Sequence, residues 1–262
     1  MVAQTVPSQS AEESGPVLAL CGVEARLTAV LARRGAVLAA LSLDAPGRHN
    51  EVLAPAVERL MRLADVAPAD LSGVACVRGP GSFTGVRMTL AFSLGLARAA
   101  SLPLAGLDYL PILAEACAPL LDGTLAVLTR ARRGQVYVQP FAAPGGRPLA
   151  APRAAALKAL PGLLAGLPAP LRLAGGGATE NRAELAGLLP GVQVLDAAWD
   201  HPLPAVLARL ACAAAYSSAP IEPLYLRASD AEDNLEAIAA AKGLDPAEAR
   251  RRLDEATGQT AG

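Results

Sequence analysis

The stretch of residues 74–107 constrains the fold more than any other part of the chain. Residues 74–77 form a short run with β-branched valines, which predicts a buried strand, and residues 79–85 form a turn punctuated by glycines. Residues 86–100 contain no helix breaker except Gly95, and residues 104–107 predict another strand. Strand, turn, helix and strand in this order make one parallel crossover unit, so we expect an α/β fold.

The helix predicted after the glycine turn is apolar on nearly every side. Met88, Phe92 and Gly95 share one face at three- and four-residue spacing, and Val86 and Leu90 lie on another. A helix without a polar side is buried either within its own chain or against another one. Both alternatives remain open here. We favour contact with a partner subunit, because large apolar faces on a protein surface usually mark interfaces.

The glycine turn does not have the spacing of the common phosphate-binding loops. A Walker loop requires Lys followed by Ser or Thr directly after its last glycine, whereas Gly85 is followed by Val86 and Arg87. Gly79, Gly81 and Gly85 also miss the G-x-G-x-x-G pattern of dinucleotide-binding folds by one residue. We expect an architectural turn in which Ser82 or Thr84 caps the helix.

Residues 79–107, GPGSFTGVRMTLAFSLGLARAASLPLAGL, resemble the signature of the TsaB (YeaZ) family, and a weaker resemblance extends over residues 17–227. The specific motif residues are Gly79, Pro80, Gly81, Ser82, Phe83, Thr84, Gly85 and Arg87. The resemblance implies an α/β, two-lobed actin-like/ribonuclease-H-like ATPase (ASKHA) fold. It also implies a non-catalytic subunit that supports TsaD in N6-threonylcarbamoyladenosine modification of tRNA next to the anticodon.

The resemblance further implies a set of partners. These are a TsaD-like subunit, a TsaE-like ATPase and, when the protein is alone, a second copy in a homodimer. Because the formal net charge is −1, the chain lacks the basic excess of a strong nonspecific nucleic-acid binder, and we expect it to meet tRNA only through the complex. Two alternatives stay open: a nucleotide-binding ATPase of the same superfamily, and a self-contained homodimeric scaffold.

A second apolar helix is predicted to begin at His49-Asn50, with Asn50 as its N-cap and Glu51 at the positive end of the helix dipole. Its apolar stripe is wider than contact with one sheet requires. The resemblance implies that this helix and the helix after the glycine turn form the subunit interface. The interface residues expected on this basis are Val52, Leu53, Ala56, Leu60, Met61, Val86, Met88, Leu90, Phe92 and Gly95.

Actin-like ATPases hold magnesium nucleotide with an acidic residue in each of two hairpins, and the resemblance places these positions at Cys21 and Arg130. Neither a thiol nor a guanidinium supplies the oxygen ligands that magnesium needs, and Glu24 lies three residues beyond Cys21. We therefore expect no catalytic residue, no bound cofactor and no ATP hydrolysis.

A glycine run in the second half of the chain resembles the adenosine-contacting turn of the same superfamily. It consists of Gly175, Gly176 and Gly177, with Asn181 following. One interpretation is a degenerate nucleotide cleft. The other, which we favour in the absence of both carboxylates, is an ordinary strand-to-helix turn.

The remaining chemistry-bearing residues are few. His49 and His201 are the only histidines, so we expect no metal site, and a structural role for His49 is favoured over a catalytic one. The four cysteines show no C-x-x-C pair, which predicts reduced core thiols in a cytoplasmic protein. No uncharged apolar run is long enough to span a membrane.

The predicted organisation has five parts. Residues 1–16 are expected to be a disordered lead, 17–107 the first lobe, 108–216 the second lobe, 217–228 a closing strand and 229–262 a charged helical tail. Within the lobes, strands are predicted at 17–21, 27–32, 36–43, 125–128, 135–139, 171–174 and 192–195. Further helices are predicted at 108–117, 179–189 and 203–216, and 140–170 is predicted to be a loop with a short helix.

Overall fold

The computed structural model describes residues 15–226 and the isolated positions 239, 243, 245, 248 and 251. Internal contacts divide the chain into two units, 1–224 and 225–262. All strands and helices given below belong to the first unit. The predicted tail helices and residues 1–14 of the predicted lead lie outside the described residues, apart from those isolated positions.

The first sheet contains five strands in the order β3-β2-β1-β4-β5. They are β1 (Val17–Cys21), β2 (Arg26–Arg33), β3 (Ala36–Asp44), β4 (Gly73–Val77) and β5 (Leu104–Leu107). Strands β1, β2 and β3 pair antiparallel, whereas β1, β4 and β5 run parallel. Helix α1 (His49–Leu63) precedes β4, and helix α2 (Phe83–Ala99) makes the predicted crossover from β4 to β5.

The second sheet repeats this topology. Its strands are β6 (Gly123–Arg130), β7 (Gln135–Ala143), β8 (Arg153–Ala156), β9 (Leu171–Ala174) and β10 (Gln193–Val194), in the order β10-β9-β6-β7-β8. The helices of this part are α3 (Tyr109–Cys117), α4 (Leu160–Leu164), α5 (Gly176–Glu180) and α6 (Arg182–Leu188). Helix α7 (Pro204–Ala213), which the sequence places in the second lobe, packs against β1, β2 and β3 of the first sheet. Two sheets with the same mixed strand order confirm the predicted two-lobed actin-like fold.

The central strands explain where the core lies. All five residues of β1 (VLALC) and of β4 (GVACV) are buried, as expected of strands covered on both faces. In the first sheet this core joins the apolar side chains of α1, including Leu53 and Leu60. A second hydrophobic cluster is formed by residues of β6, β7 and β9. Leu160 and Leu185, from helices that pack on the second sheet, also belong to it.

Several predicted boundaries were wrong for identifiable reasons. Gly15 and Pro16 belong to the ordered fold, because their carbonyls accept hydrogen bonds from Ser72. Arg48, not Asn50, occupies the N-cap of α1, and it makes no side-chain capping bond. The helix predicted at 179–189 is divided at Asn181, whose Nδ2 donates to Gly177 O at 2.8 Å and closes α5.

Two strand predictions also differ from the structure. Strand β8 has the sequence RAAA, which lacks the β-branched and aromatic residues that signal a strand, so the 140–170 segment was wrongly predicted to contain only loop and helix. Residues 223–226 of the predicted closing strand are not in a strand. The segment joins the first sheet through single contacts: an isolated bridge between Ser217 and Leu104, and a bond from Leu224 N to Arg78 O.

Candidate functional site

The glycine turn is built around a close approach to the turn that follows β1. A Cβ on Gly85 would collide with the carbonyl of Gly22, and one on Gly81 would collide with Val23. Ser82 N donates to Val23 O at 2.8 Å and joins the two turns. Glycine is therefore required at both positions because two backbones meet there without room for a side chain.

The other motif residues stabilise the start of α2. Ser82 is the N-cap, and its hydroxyl accepts from Gly85 N at 3.3 Å, whereas Thr84 lies within the helix and is exposed. The Arg87 guanidinium lies 3.6 Å from the centre of the Phe83 ring, a cation–π contact one helical turn apart. Gly79 has φ +110°, a conformation that glycine adopts without strain.

Helix α2 buries mainly small residues completely, whereas its larger apolar residues Leu90, Phe92, Leu94 and Leu96 are only partly buried against the core of the first sheet. The residues that it buries are Gly85, Val86, Thr89, Ser93 and Ala97. Thr89 and Ser93 satisfy their hydroxyls within the helix by donating to carbonyls three or four residues earlier. Met88, Leu90 and Phe92 are only half-buried, and Gly95 is exposed with no atom within 4 Å of the position of a Cβ.

Helix α1 packs more conventionally. It buries Leu53, Ala56, Leu60 and Met61 within the first sheet's core. Val52 is half-buried. Leu63, at the C-terminal end of the helix, is 68% exposed.

These burials narrow the predicted interface. Five of its ten residues, Leu53, Ala56, Leu60, Met61 and Val86, are buried in the chain itself, and a partner could not contact them as a surface. The interface prediction therefore reduces to Val52, Met88, Leu90, Phe92 and Gly95. Leu63, at the edge of the wide α1 stripe, is exposed and lies outside the predicted set.

The two positions expected for magnesium ligands do not fit that role. The Cys21 side chain is buried, and burial raises the pKa of its thiol to about 12. The Arg130 guanidinium pairs with Glu180, with Nε 2.6 Å from Oε2. Since a neutral thiol and a cation cannot replace oxygen ligands, the residues present do not fit a magnesium nucleotide bound as in an actin-like ATPase.

Glu24 brings the two sheets together at this place. Its carboxylate accepts hydrogen bonds from the Thr129 hydroxyl and, at 3.4 Å, from Arg130 N, both at the end of β6. Its side chain is only 10% exposed. Burial raises the pKa of Glu24, and the hydrogen bonds from Thr129 and Arg130 oppose that rise.

The second glycine turn lies against the same carboxylate. A Cβ on Gly176 would come within 2.6 Å of Glu24 Oε2, and one on Gly177 would come within 2.8 Å of the Thr129 carbonyl carbon. Gly175 has φ +96°. The structure thus places Gly175, Gly176 and Gly177 beside Glu24. Atoms of Glu24 and Thr129 fill the space next to Gly176 and Gly177.

His49 has a structural position at the first residue of α1. Its ring donates to the Arg26 carbonyl, and burial lowers the pKa of the imidazole, so the ring is neutral near pH 7. Within the described part of the chain, its Nε2 has no hydrogen-bond partner. The ring also packs beside the backbone of Gly22.

Cysteines and candidate metal ligands add no further chemistry. Cys21, Cys76 and Cys117 are buried, Cys212 is half-buried, and all four are free thiols. No group of three or more His, Cys, Asp or Glu side chains among the described residues could hold a metal ion. None of the described helices combines the length and the apolar character needed to cross a bilayer.

Comparison with known proteins places this geometry in a family. The family described as "tRNA N6-adenosine threonylcarbamoyltransferase" (TsaD) matches residues 43–167. The TsaB protein of Bacillus subtilis, named for tRNA threonylcarbamoyladenosine biosynthesis, is 35% identical over 121 residues. An uncharacterised protein of Mycobacterium tuberculosis is 35% identical over 184 residues, which cover 70% of this chain and 77% of that protein. The chain belongs to the TsaB (YeaZ) family.

A solved TsaB-family structure supports the assignment over a longer range. YeaZ from Pseudomonas aeruginosa has a TM-score of 0.61 and 25% identity, and the match covers 81% of this chain and 100% of YeaZ. In sequence, the match to the Bacillus protein covers 46% of this chain, and the chain spans about half the length of that relative (52%). The TsaD family match at residues 43–167 includes the glycine turn and α2.

Proposed function

We propose that this chain is the partner subunit that supports a TsaD-like protein in making N6-threonylcarbamoyladenosine in tRNA, and that it performs no catalysis itself. Membership of the TsaB family supports the pathway. The observation that carries the role is the packing of α2, which buries Thr89 and Ser93 and leaves Met88, Leu90 and Phe92 only partly buried.

The free energy of apolar burial favours a partner packed on α2. Each fully buried apolar side chain of this size contributes roughly 1.5–3 kcal/mol, a gain that α2 does not fully obtain within its own chain. A TsaD-like partner packed on this helix would complete that burial. The exposed small residues Ala91, Gly95 and Ala99 would let a partner helix approach closely.

The remaining assignments follow from this role. A TsaE-like ATPase is the third member of the proposed assembly, and a homodimer through the same helices forms when the TsaD-like subunit is absent. The chain meets tRNA through the complex, holds no cofactor and functions in the cytoplasm. Because Glu24, Cys21 and Arg130 do not form a magnesium site, nucleotide hydrolysis is assigned to another subunit.

The test is formation of a heterocomplex with the TsaD-like protein of the same genome, measured by calorimetry and size-exclusion chromatography. Leu63→Asp should weaken binding at least tenfold, which corresponds to about 1.4 kcal/mol, because it places a charge at the edge of the proposed surface. Leu120→Asp is the matched control, since Leu120 is 70% exposed and Leu63 is 68% exposed. Full-strength binding by the Leu63→Asp protein, or equal losses in both variants, would contradict the proposed surface.

A functional arm separates assembly from catalysis. Full-length protein should restore tRNA modification in a strain that lacks its TsaB, and the Leu63→Asp protein should not. If the isolated chain binds ATP tightly in a magnesium-dependent manner, the nucleotide-hydrolysing alternative replaces this proposal.

A further inference from the structure

The turn after β1 reaches across to the second sheet through a single acidic side chain. One carboxylate oxygen of Glu24 accepts from both Thr129 and Arg130 at the end of β6. The other oxygen lies over Gly176, in the space that a side chain there would fill. Glu24 therefore joins three segments that are far apart in sequence, with one carboxylate at their centre.

We propose that Glu24 is a conformational latch that holds the two sheets together and keeps the cleft between them closed over the glycine turn at 175–177. Removal of the Glu24 side chain would leave the Thr129 hydroxyl and the Arg130 amide without their acceptor. It would also open the space above Gly176. With the latch in place, a ligand anion would meet a buried carboxylate before it reached the glycine turn.

The loop before α7 strengthens the same closure. Asp200 Oδ1 accepts from the Thr179 hydroxyl at 3.0 Å, and the Asp200 carbonyl accepts from the Tyr109 hydroxyl at 3.1 Å. His201 Nδ1 lies 3.8 Å from Glu24 Oε2. Tyr109, Asp200 and His201 are thus neighbours of the Glu24 carboxylate.

The titratable and charged groups around the latch come from every element packed against it. They are Cys21 in β1, Tyr109 in α3, Arg130 with its ion-pair partner Glu180, Asp200, and His201 with Arg26 and Asp44 beside it. Burial raises the pKa of both Glu24 and Asp200 and lowers the pKa of His201.

The sign of the pH effect follows from linkage. The folded-state pKa of Glu24 lies above its unfolded value, so between the two values the folded chain holds a proton that the unfolded chain has released. The contribution of Glu24 to stability is therefore largest at low pH and falls as pH rises through this window. Glu24→Gln keeps an oxygen acceptor for Thr129 and Arg130 but removes the titration.

Hydrogen exchange of the full chain tests the latch directly. At one fixed pH, Glu24→Ala should raise the exchange rates of the Arg130 amide and of the amides at 176–178 at least tenfold. These amides would lose the Glu24 side chain that shields them from solvent. Glu24→Gln should leave these rates within about threefold of the unaltered protein. Glu180→Ala is the control, since it breaks the Arg130 ion pair and leaves Glu24 in place, and it should not raise the rates.

Unfolding by urea provides a second arm if Glu24→Ala does not fold. The folding equilibrium constant of the Gln variant, divided by that of the unaltered chain, should rise with pH by up to about tenfold per pH unit inside the window. Comparing the two proteins isolates the titration that depends on the Glu24 carboxyl, including its coupling to Asp200 and His201. Unchanged exchange in Glu24→Ala, or failure of Glu24→Gln to preserve protection, would overturn the latch.

Discussion

Gly95 offers a substitution whose effects on folding and on assembly have opposite signs. It lies within α2, is exposed, and has no atom within 4 Å of the position of a Cβ. Arg is a much better helix former than Gly, by roughly 0.5–1 kcal/mol in a helix interior. We therefore expect Gly95→Arg to stabilise the isolated chain by that amount, equivalent to about 1–4 °C in Tm for a domain of this size.

Assembly should respond in the opposite direction. If a helix of a TsaD-like partner packs over Gly95, the arginine would fill the space of close approach and bring an unpaired charge into the contact. We expect the Kd for that partner to rise at least tenfold, or about 1.4 kcal/mol. Thermal unfolding monitors the first effect, and titration calorimetry with the partner monitors the second.

A second helical glycine provides the matched control. Gly187 in α6 is also exposed and also has open space where a Cβ would lie. Gly187→Arg should give the same direction of stability change and leave the Kd unaltered. A Gly95→Arg protein that is as stable as expected but binds with an unaltered Kd would refute the assignment of α2 to the interface.

Two further substitutions test the glycine turns. Ser82→Ala should lower the free energy of unfolding by about 1 kcal/mol through loss of the N-cap bond to Gly85, whereas Thr84→Ala should not; urea unfolding distinguishes them. Gly177→Ala should destabilise the chain by about 1–3 kcal/mol, since its Cβ would lie 2.8 Å from the backbone of Thr129. If Gly177→Ala were as stable as the unaltered chain, the close approach of the turn to β6 would be refuted.

The fold was predictable wherever a local pattern determined the structure. The apolar runs of β1, β4 and β5 could be assigned to strands from composition alone, and the turn after β4 marked the start of α2 to within a few residues. Strand β8 could not be predicted, because RAAA becomes a strand only by pairing with β7. The division between α5 and α6 likewise depends on one side-chain bond, from Asn181 to Gly177.

The candidate site was less accessible to sequence reasoning. Helical periodicity identified α2 as apolar on several sides but could not say which side faced the core. The orientation of α2 depends on Gly22. The Gly22 carbonyl lies where a side chain at position 85 would be, so the side of α2 that carries the small residues faces the core. Glu24 was considered only as a replacement ligand, because its contact with Thr129 joins residues 105 positions apart.

The inward orientation of the small face links the motif to the proposed role. Close contact between the glycine turn and residues 22–23 requires Gly81 and Gly85, so the core-facing side of α2 begins with a residue that has no side chain. Thr89 and Ser93 continue that side and satisfy their own hydroxyls, which permits them to be buried. Met88 and Phe92 lie beside that side and are only partly buried, Phe92 against the core of the first sheet. The same glycines that join the turn to β1 thus leave α2 with apolar surface for a partner.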